Sequence, residues 1–394
     1  MSAFGVLETA EKTPLFQTDF VYGLNTQKWQ TAVVSGTGAA VDTDAGRLRI
    51  QSGTSSTSYA YILSRRPLRY RAGQGIVYEQ TPLFTAGVAN NIQAWGTGAI
   101  VTNALYDGYF FSMNGTAVGI SHYVRGTPAH TAQTAWNGDK CDGSAGSSFT
   151  WNPALGTPAK IVIPYLGYGD ITFWLQNPTT ARWVLCHTIR YANTVATTQI
   201  SNPSFYAMGF TANSGNTTNV TMYCGSIGAF LSGERSFISN PKWCAKNNKS
   251  AITTETNILT LKNATTYNTV TNRGLIRISS IFFSSSAATG IATADLIINA
   301  TLGGTPAYTT INGTTADNGV TITSGNSITS YDTAGTTIAN GTRIFSLSVD
   351  NPDTEGISLI EYDIIIAPSE TLTLAATSSN TSQIGISINF TEDI

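Results

Sequence analysis

The residues of this chain whose types and spacing could do chemistry are two close pairs of carboxylates, Asp139 with Asp142 and Glu361 with Asp363. Paired acids flanking a sugar bond can act as acid and nucleophile in glycoside hydrolysis. Glu361 and Asp363 in EYDIII are two apart, so on a strand they would share a face. Their region holds no tryptophan, and no sugar-stacking platform is visible there. Asp139 and Asp142 lie in TAWNGDKCDGSAG, a turn-rich loop where Lys140 offsets part of the charge. Calcium is conceivable in that loop or in DNPDTEG at 350–356, but neither follows the D-x-[DN]-x-[DN]-G spacing. No zinc box, nucleophile elbow or phosphate-binding glycine loop occurs. His122, His130 and His187 have no identifiable partners nearby. The expectation is a protein that is not an enzyme, with no catalytic residue, no metal and no cofactor.

The densest charge is SRRPLRYRAGQG, which carries Arg65, Arg66, Arg69 and Arg71. Read as a strand, it places Arg69 and Arg71 on one face, with Leu68 and Tyr70 on the other. Guanidinium groups bind carboxylates bidentately. These four are the candidate contact to carboxylates of a partner subunit or to an anionic glycan; the alternative is local pairing with acids such as Glu79. The net charge of −2 gives no basic footprint for nucleic acid. Cys141, Cys186, Cys224 and Cys244 form no C-x-x-C pair. Three disulfide connectivities are possible for them, and free, buried thiols are expected.

The elements that must position these residues are strands. Short runs such as GRLRIQSG, GYFFSMNG, AKIVIPYLGYG and DITFWLQNP alternate between turn-forming segments, and no long amphipathic helix is evident. SQIGISINF places Ile384, Ile386, Ile388 and Phe390 on one face, and RIFSLSV does the same with Phe345, Leu347 and Val349. Glu361–Ile366 is expected as a strand, followed by a turn at Pro368 and a strand facing Leu372 and Leu374 inward. Many short strands with frequent turns make the chain all-β, with sandwiches or jelly rolls.

A length of 394 residues suits two domains. All seven tryptophans lie between Trp29 and Trp243, and charge thins out beyond Asn257. The expected division is an N-terminal arm over 1–22, a sandwich over 23–232, a linker over 233–254 and a second sandwich over 255–394. Charged residues are only 11% of the chain, against about 25% in a typical soluble protein. A neutral Ser/Thr/Asn surface is cheap to desolvate, which favours association, and a homo-oligomer is expected. No basic leader with an apolar core opens the sequence, and no apolar run is long enough for a membrane helix, so neither a signal peptide nor a membrane partner is expected.

SRRPLRYRAGQG, DGYFFSMNGTAVGISHYVRG, QTAWNGDKCDGSAG and IPYLGYGDITFWLQNP together resemble a group of virion proteins from tailed bacteriophages and large DNA viruses. The resemblance covers roughly 1–232 and implies a concanavalin-like, lectin-type jelly-roll sandwich. The end of the chain resembles β-modules of phage head-decoration and fibre proteins, with Pro368, Glu370, Thr371, Leu372 and Thr373 in a P-x-E-T-L-T-like turn and strand. Ser369 replaces the usual glycine, and Phe390 the usual tryptophan. What the resemblance implies is a structural virion protein, a capsid decoration or minor capsid protein bound to the major capsid protein or other virion proteins, with a homotrimer suited to the symmetry axes of a shell and Arg65, Arg66, Arg69 and Arg71 as the candidate subunit or capsid contact. The alternatives are a tail or fibre adhesin binding host glycan, and a polysaccharide depolymerase.

Overall fold

Trp95 sets the geometry of the first half of the molecule. Its ring lies where any side chain on Gly209 would sit, 2.2 Å from an ideal Cβ, so only glycine lets these neighbouring strands pair with the indole between them. The computed structural model describes residues 12–34, 37–233, 240–311, 327–350 and 352–394. Among them every extended element is a β-strand and no α-helix occurs. The chain divides into two compact units, Met1–Arg235 and Ser236–Ile394.

The first unit is a sandwich of two antiparallel sheets. One runs in the order Trp183–Ile189, Ile171–Gln176, Ala159–Ile163, Ile76–Leu83, Thr221–Ser232, Arg47–Gln51 and Ala40–Asp44, with Lys12–Asp19 pairing along the second half of Thr221–Ser232. The other runs Thr127–Ala132, Ala117–Val124, Ala104–Asn114, Asn91–Val101, Tyr206–Asn213, Tyr59–Ser64 and Trp29–Val34. Alternation does what the sequence implies. Ile161, Ile171, Phe173 and Leu175 turn inward from the first sheet to meet Trp95, Tyr109 and Phe111 from the second. Phe111 and Phe173 meet edge to face at 5.5 Å. Burying each such side chain contributes about 1.5–3 kcal/mol.

The second unit is a smaller sandwich. One sheet is Lys242–Ile252, Ser382–Asp393, Leu275–Ser285 and Asp353–Ser358, with Ile365–Ile366 also on Leu275–Ser285. The other is Thr309–Thr310, Thr329–Asp332, Thr256–Asn263, Thr371–Ser378, Ile291–Ile298 and Thr342–Asp350. Ile384, Ile386, Ile388 and Phe390 are buried along one face, opposite Leu372 and Leu374.

Several expected boundaries shift. Of the arm assigned to 1–22, residues 1–11 lie outside the described residues, and Lys12–Asp19 is an edge strand of the first sandwich. Its Pro14 stands at a register shift, where a missing N–H does least harm. Of the linker assigned to 233–254, Lys242–Ile252 is an edge strand paired with Ser382–Asp393. Its lysines mimic linker chemistry because charge on an edge strand guards it against further pairing. Glu361 sits in a single helical turn, Ile360–Tyr362, rather than a strand, and Asp363 follows with φ +47°. Arg69 and Arg71 are not on a strand: Leu68 and Arg71 make isolated bridges only, and Arg71 opens a turn closed by the Gln74 N–H. Pro67 and Gly73 punctuate that segment too closely for a ladder.

Candidate functional site

The residues singled out by sequence scatter across the molecule, and most serve the backbone around them. Asp139 accepts hydrogen bonds from the Cys141 N–H at 2.8 Å, the Ser147 hydroxyl at 2.9 Å and the Ser148 N–H at 2.7 Å. Burial works to raise its pKa, but the bonds from Ser148, Cys141 and Ser147 prevail and hold it below the ordinary carboxylate value. Asp142 accepts from the Ser144 N–H and hydroxyl, which lower its pKa in turn. Both acids shape their loop. Glu361 and Asp363 do not converge as on a strand, and Asp363 pairs with Arg277. His130 Nδ1 meets the Ser121 hydroxyl at 3.0 Å, and Ser121 meets Ser112 at 2.7 Å, but both serines are buried beyond reach of a substrate. Burial lowers the pKa of all three histidines.

Arg65 and Arg69 are held by different neighbours. The Arg65 guanidinium donates to the Thr26 carbonyl, and Arg69 donates to the Ser204 hydroxyl at 2.9 Å. Arg66 is exposed, whereas Arg65, Arg69 and Arg71 are half-buried. Glu79, the acid considered as their local partner, instead pairs with Lys12 at 2.8 Å.

That Glu79–Lys12 pair leads to the feature that sequence reasoning missed. On the first sandwich, Gln17, Asp19, Tyr22, Asn25, Lys28, Glu79, Thr81, Trp183, Ser226 and Phe230 are among the residues lining an open cleft of about 900 Å³. The sheet builds it through alternation. Tyr78 and Gln80 point into the core, so Glu79 and Thr81 point out. Ile171, Phe173 and Leu175 point in, so Trp174 points out beside Lys160 and Trp183. The edge strand Lys12–Asp19 and the loop after it supply Gln17, Asp19, Tyr22 and Asn25. Tyr22 is 99% exposed, a large aromatic ring left in water at the rim.

Charge and aromatic faces alternate along this surface. The Lys160 ammonium sits 4.4 Å from the Trp183 ring centre and 4.9 Å from that of Trp174. Burial pushes its pKa down to about 8, the Lys12 charge adds to this, and Glu79 opposes it. Lys12 lies 5.4 Å from the Phe230 ring centre. Asp19 accepts the Val21 N–H at 3.2 Å, and Asn25 accepts the Gln27 N–H at 2.9 Å, which fixes the rim loop. Flat aromatic surface beside amides, hydroxyls and two carboxylates matches a ligand with apolar C–H faces and many hydroxyls. One signal for it stood in the sequence: ITFWLQ places a tryptophan on the solvent-facing half of its alternation, next to Lys160 of AKIVI.

No family model and no curated protein sequence matches the chain. Solved structures similar to it include an endo-1,3-beta-glucanase from Streptomyces sioyaensis, at 13% identity over 58% of this chain and 99% of that one, with a TM-score of 0.42. A beta-1,3-glucanase from Mycobacterium marinum is 14% identical over 55% of this chain and 98% of that one, TM-score 0.36. Arcelin-5, a lectin-like defense protein from Phaseolus vulgaris, is 10% identical over 56% of this chain and 99% of that one, TM-score 0.34. The class is an all-β, concanavalin-like jelly-roll sandwich followed by a smaller β-sandwich.

The expectation that the protein is not an enzyme is corrected. Solved structures similar to this chain include proteins named glucanases and a glycoside hydrolase family protein, and the lack of a short catalytic motif is not evidence against activity. The physical reason is that a sheet face gathers acids from distant strands. Asp19 and Glu79 line one cleft although no local pattern joins them.

Proposed function

We propose that the protein binds a polysaccharide or other glycan in the cleft lined by Trp183, Glu79, Gln17, Asn25 and Tyr22. The observation that carries this reading is the cleft itself, where the exposed Tyr22 ring and the half-buried rings of Trp183 and Phe230 border polar groups able to bond hydroxyls. Stacking of sugar C–H faces on Trp183 would supply affinity, and the amides and carboxylates would supply orientation. The setting that the sequence resemblance supplies, a virus particle whose adhesin meets host glycan, agrees with this reading. The capsid-decoration role and the trimer rest on that resemblance and on low charge alone, and nothing in the cleft favours them.

A second reading, cleavage of the bound glycan, is favoured by one observation: Asp19 and Glu79 face the same cleft. The experiment is a glycan array followed by calorimetry on the best ligand, with Trp183→Ala and Glu79→Gln variants. Binding by the wild type that Trp183→Ala weakens about tenfold or more supports the site; each tenfold is about 1.4 kcal/mol. A ligand bound equally well by Trp183→Ala, or no binding across the array, sinks it. Release of reducing ends by the wild type, lost in Glu79→Gln while binding persists, makes the cleft catalytic; binding without release makes it a lectin site.

A further inference from the structure

Cys141 and Cys186 are both buried in the first unit, forty-five residues apart in sequence, and their sulfurs stand 3.6 Å apart. The approach is built by the backbone around them. Cys186 belongs to the edge strand Trp183–Ile189, and Cys141 to the loop that lies along it. That loop is laced to the strand by the Gly138 N–H on the Cys186 carbonyl at 3.0 Å and the Asp139 N–H on the Leu185 carbonyl at 2.9 Å. Asn137 completes the lacing, donating to the Thr188 carbonyl at 2.9 Å and accepting its N–H at 2.8 Å. The remaining cysteines are placed differently. Cys224 is buried on the strand Thr221–Ser232, and its thiol donates to the Ser226 carbonyl. Cys244 is exposed in the second unit.

We infer that Cys141 and Cys186 are an oxidation site and form a disulfide when the chain folds in the presence of a small disulfide oxidant. One thiol, as thiolate, attacks a sulfur of the oxidant and releases one thiol. The second cysteine then attacks the mixed disulfide and releases another. Two S–H bonds are lost, one S–S bond forms, and the oxidant is reduced to two thiols. A disulfide needs the sulfurs about 2.05 Å apart, a closure that small side-chain rotations supply from 3.6 Å. Timing follows from burial. The hydrogen bond with Cys141, and then desolvation, push the Cys186 thiol far above its ordinary pKa. Thiolate is therefore scarce in the folded chain, and the bond forms during folding rather than after it. It would close a loop spanning the strands that carry Lys160 and Trp174 and join it to the Trp183 strand, bracing one side of the cleft. The inference does not depend on what the cleft binds.

The test is to refold the full chain with a mixture of oxidised and reduced glutathione, or with dithiothreitol, and count thiols in denaturant. The expected counts are two free thiols after oxidative refolding and four after reductive refolding. Non-reducing peptide mass spectrometry should show the Cys141–Cys186 pair, and the oxidised form should melt at higher temperature. Cys186→Ala should remove the cross-link and the gain together. Natively purified protein treated with diamide in mild urea provides a second route that needs no refolding. Four free thiols by both routes, or a bond that uses Cys224 or Cys244 instead, would overturn the assignment.

Discussion

The two units of this molecule are made by the same rule and end with different surfaces. Both bury every second residue of their strands between two sheets. In the first, the outward half of the alternation carries Trp174, Trp183, Lys160, Glu79 and Phe230, and a cleft of about 900 Å³ results. In the second, the outward residues around its hollow of about 470 Å³ include Lys246, Ser284, Thr354 and Ser387, with Phe282 as the one large ring besides buried Phe283. The first unit buries Asp107, bonded by the Arg125 N–H and by Ser201, and the second unit turns more acid inward, burying Asp332, Glu392 and Asp393. Asp332 is fully buried and accepts from the N–H groups of Ala307, Ala334 and Gly335 and from the Asn257 side chain. Glu392, also fully buried, accepts from the Ser327 and Thr329 hydroxyls. Asp332, bonded through both oxygens, fixes its loop in place, whereas Glu392 takes both of its bonds on one oxygen and leaves the other buried without a partner. An acid facing solvent beside aromatic rings is available to a ligand, while one saturated by its own backbone is not.

The comparison can be broken most severely in the cores. Trp95→Ala should cost the first unit about 3–5 kcal/mol, because it removes a fully buried indole whose neighbour Gly209 cannot fill the space. Urea unfolding should show that loss with the second unit's transition unmoved; a joint shift would mean the units are not separate folding bodies. Asp332→Ala should cost the second unit about 2–4 kcal/mol by stranding its buried donors. Glycan binding at room temperature should be unchanged, and its loss would place the ligand outside the proposed cleft.

A subtler contrast lies between two rings. Trp183→Ala should weaken ligand binding while Phe282→Ala, on the second unit, should not; equal effects in calorimetry would erase the distinction between the two surfaces. Lys160 gives a pH test. Its folded pKa is about 8 against an ordinary 10.5, so between these values the unfolded chain holds more protons, and stability rises with pH. The stability of wild type relative to Lys160→Met should therefore increase from pH 8 to 10.5, and a flat difference would mean that the ammonium is not desolvated between the tryptophans. The smallest effect is expected at Arg66→Glu, within about 0.5 kcal/mol, because that side chain is exposed. Its incorporation into particles, if the chain is carried by one, tests the partner contact assigned to the arginine segment.

Much of the architecture was legible because alternation is local. The runs around Phe173, Leu372 and Ile386 announce strands and their inner faces without knowledge of any partner. Edges were harder to read. Lys242–Ile252 looks like a linker because an edge strand shows one row of hydrogen-bonding groups to water and carries lysine accordingly. Short, punctuated segments misled in the other direction: Leu68–Arg71 makes isolated bridges only, and of Glu361–Ile366 only Ile365–Ile366 pairs as a strand.

What the sequence by itself determined is the all-β class and the inner faces of the strands, which follow from a period of two within a few residues, and the plan of two units, which follows from length and from the uneven spread of tryptophan and charge. Only the tertiary structure decided the site. Glu79, Asp19 and Trp183 line one cleft because Ile76–Leu83, Lys12–Asp19 and Trp183–Ile189 belong to one sheet, with Thr221–Ser232 between the first two and Ala159–Ile163 and Ile171–Gln176 between the first and the third. Cys141 meets Cys186 because a loop is laced along an edge strand. Strand order and loop docking are fixed by long-range pairing and packing, and a cleft made by such neighbours has no signature in the order of the residues along the chain.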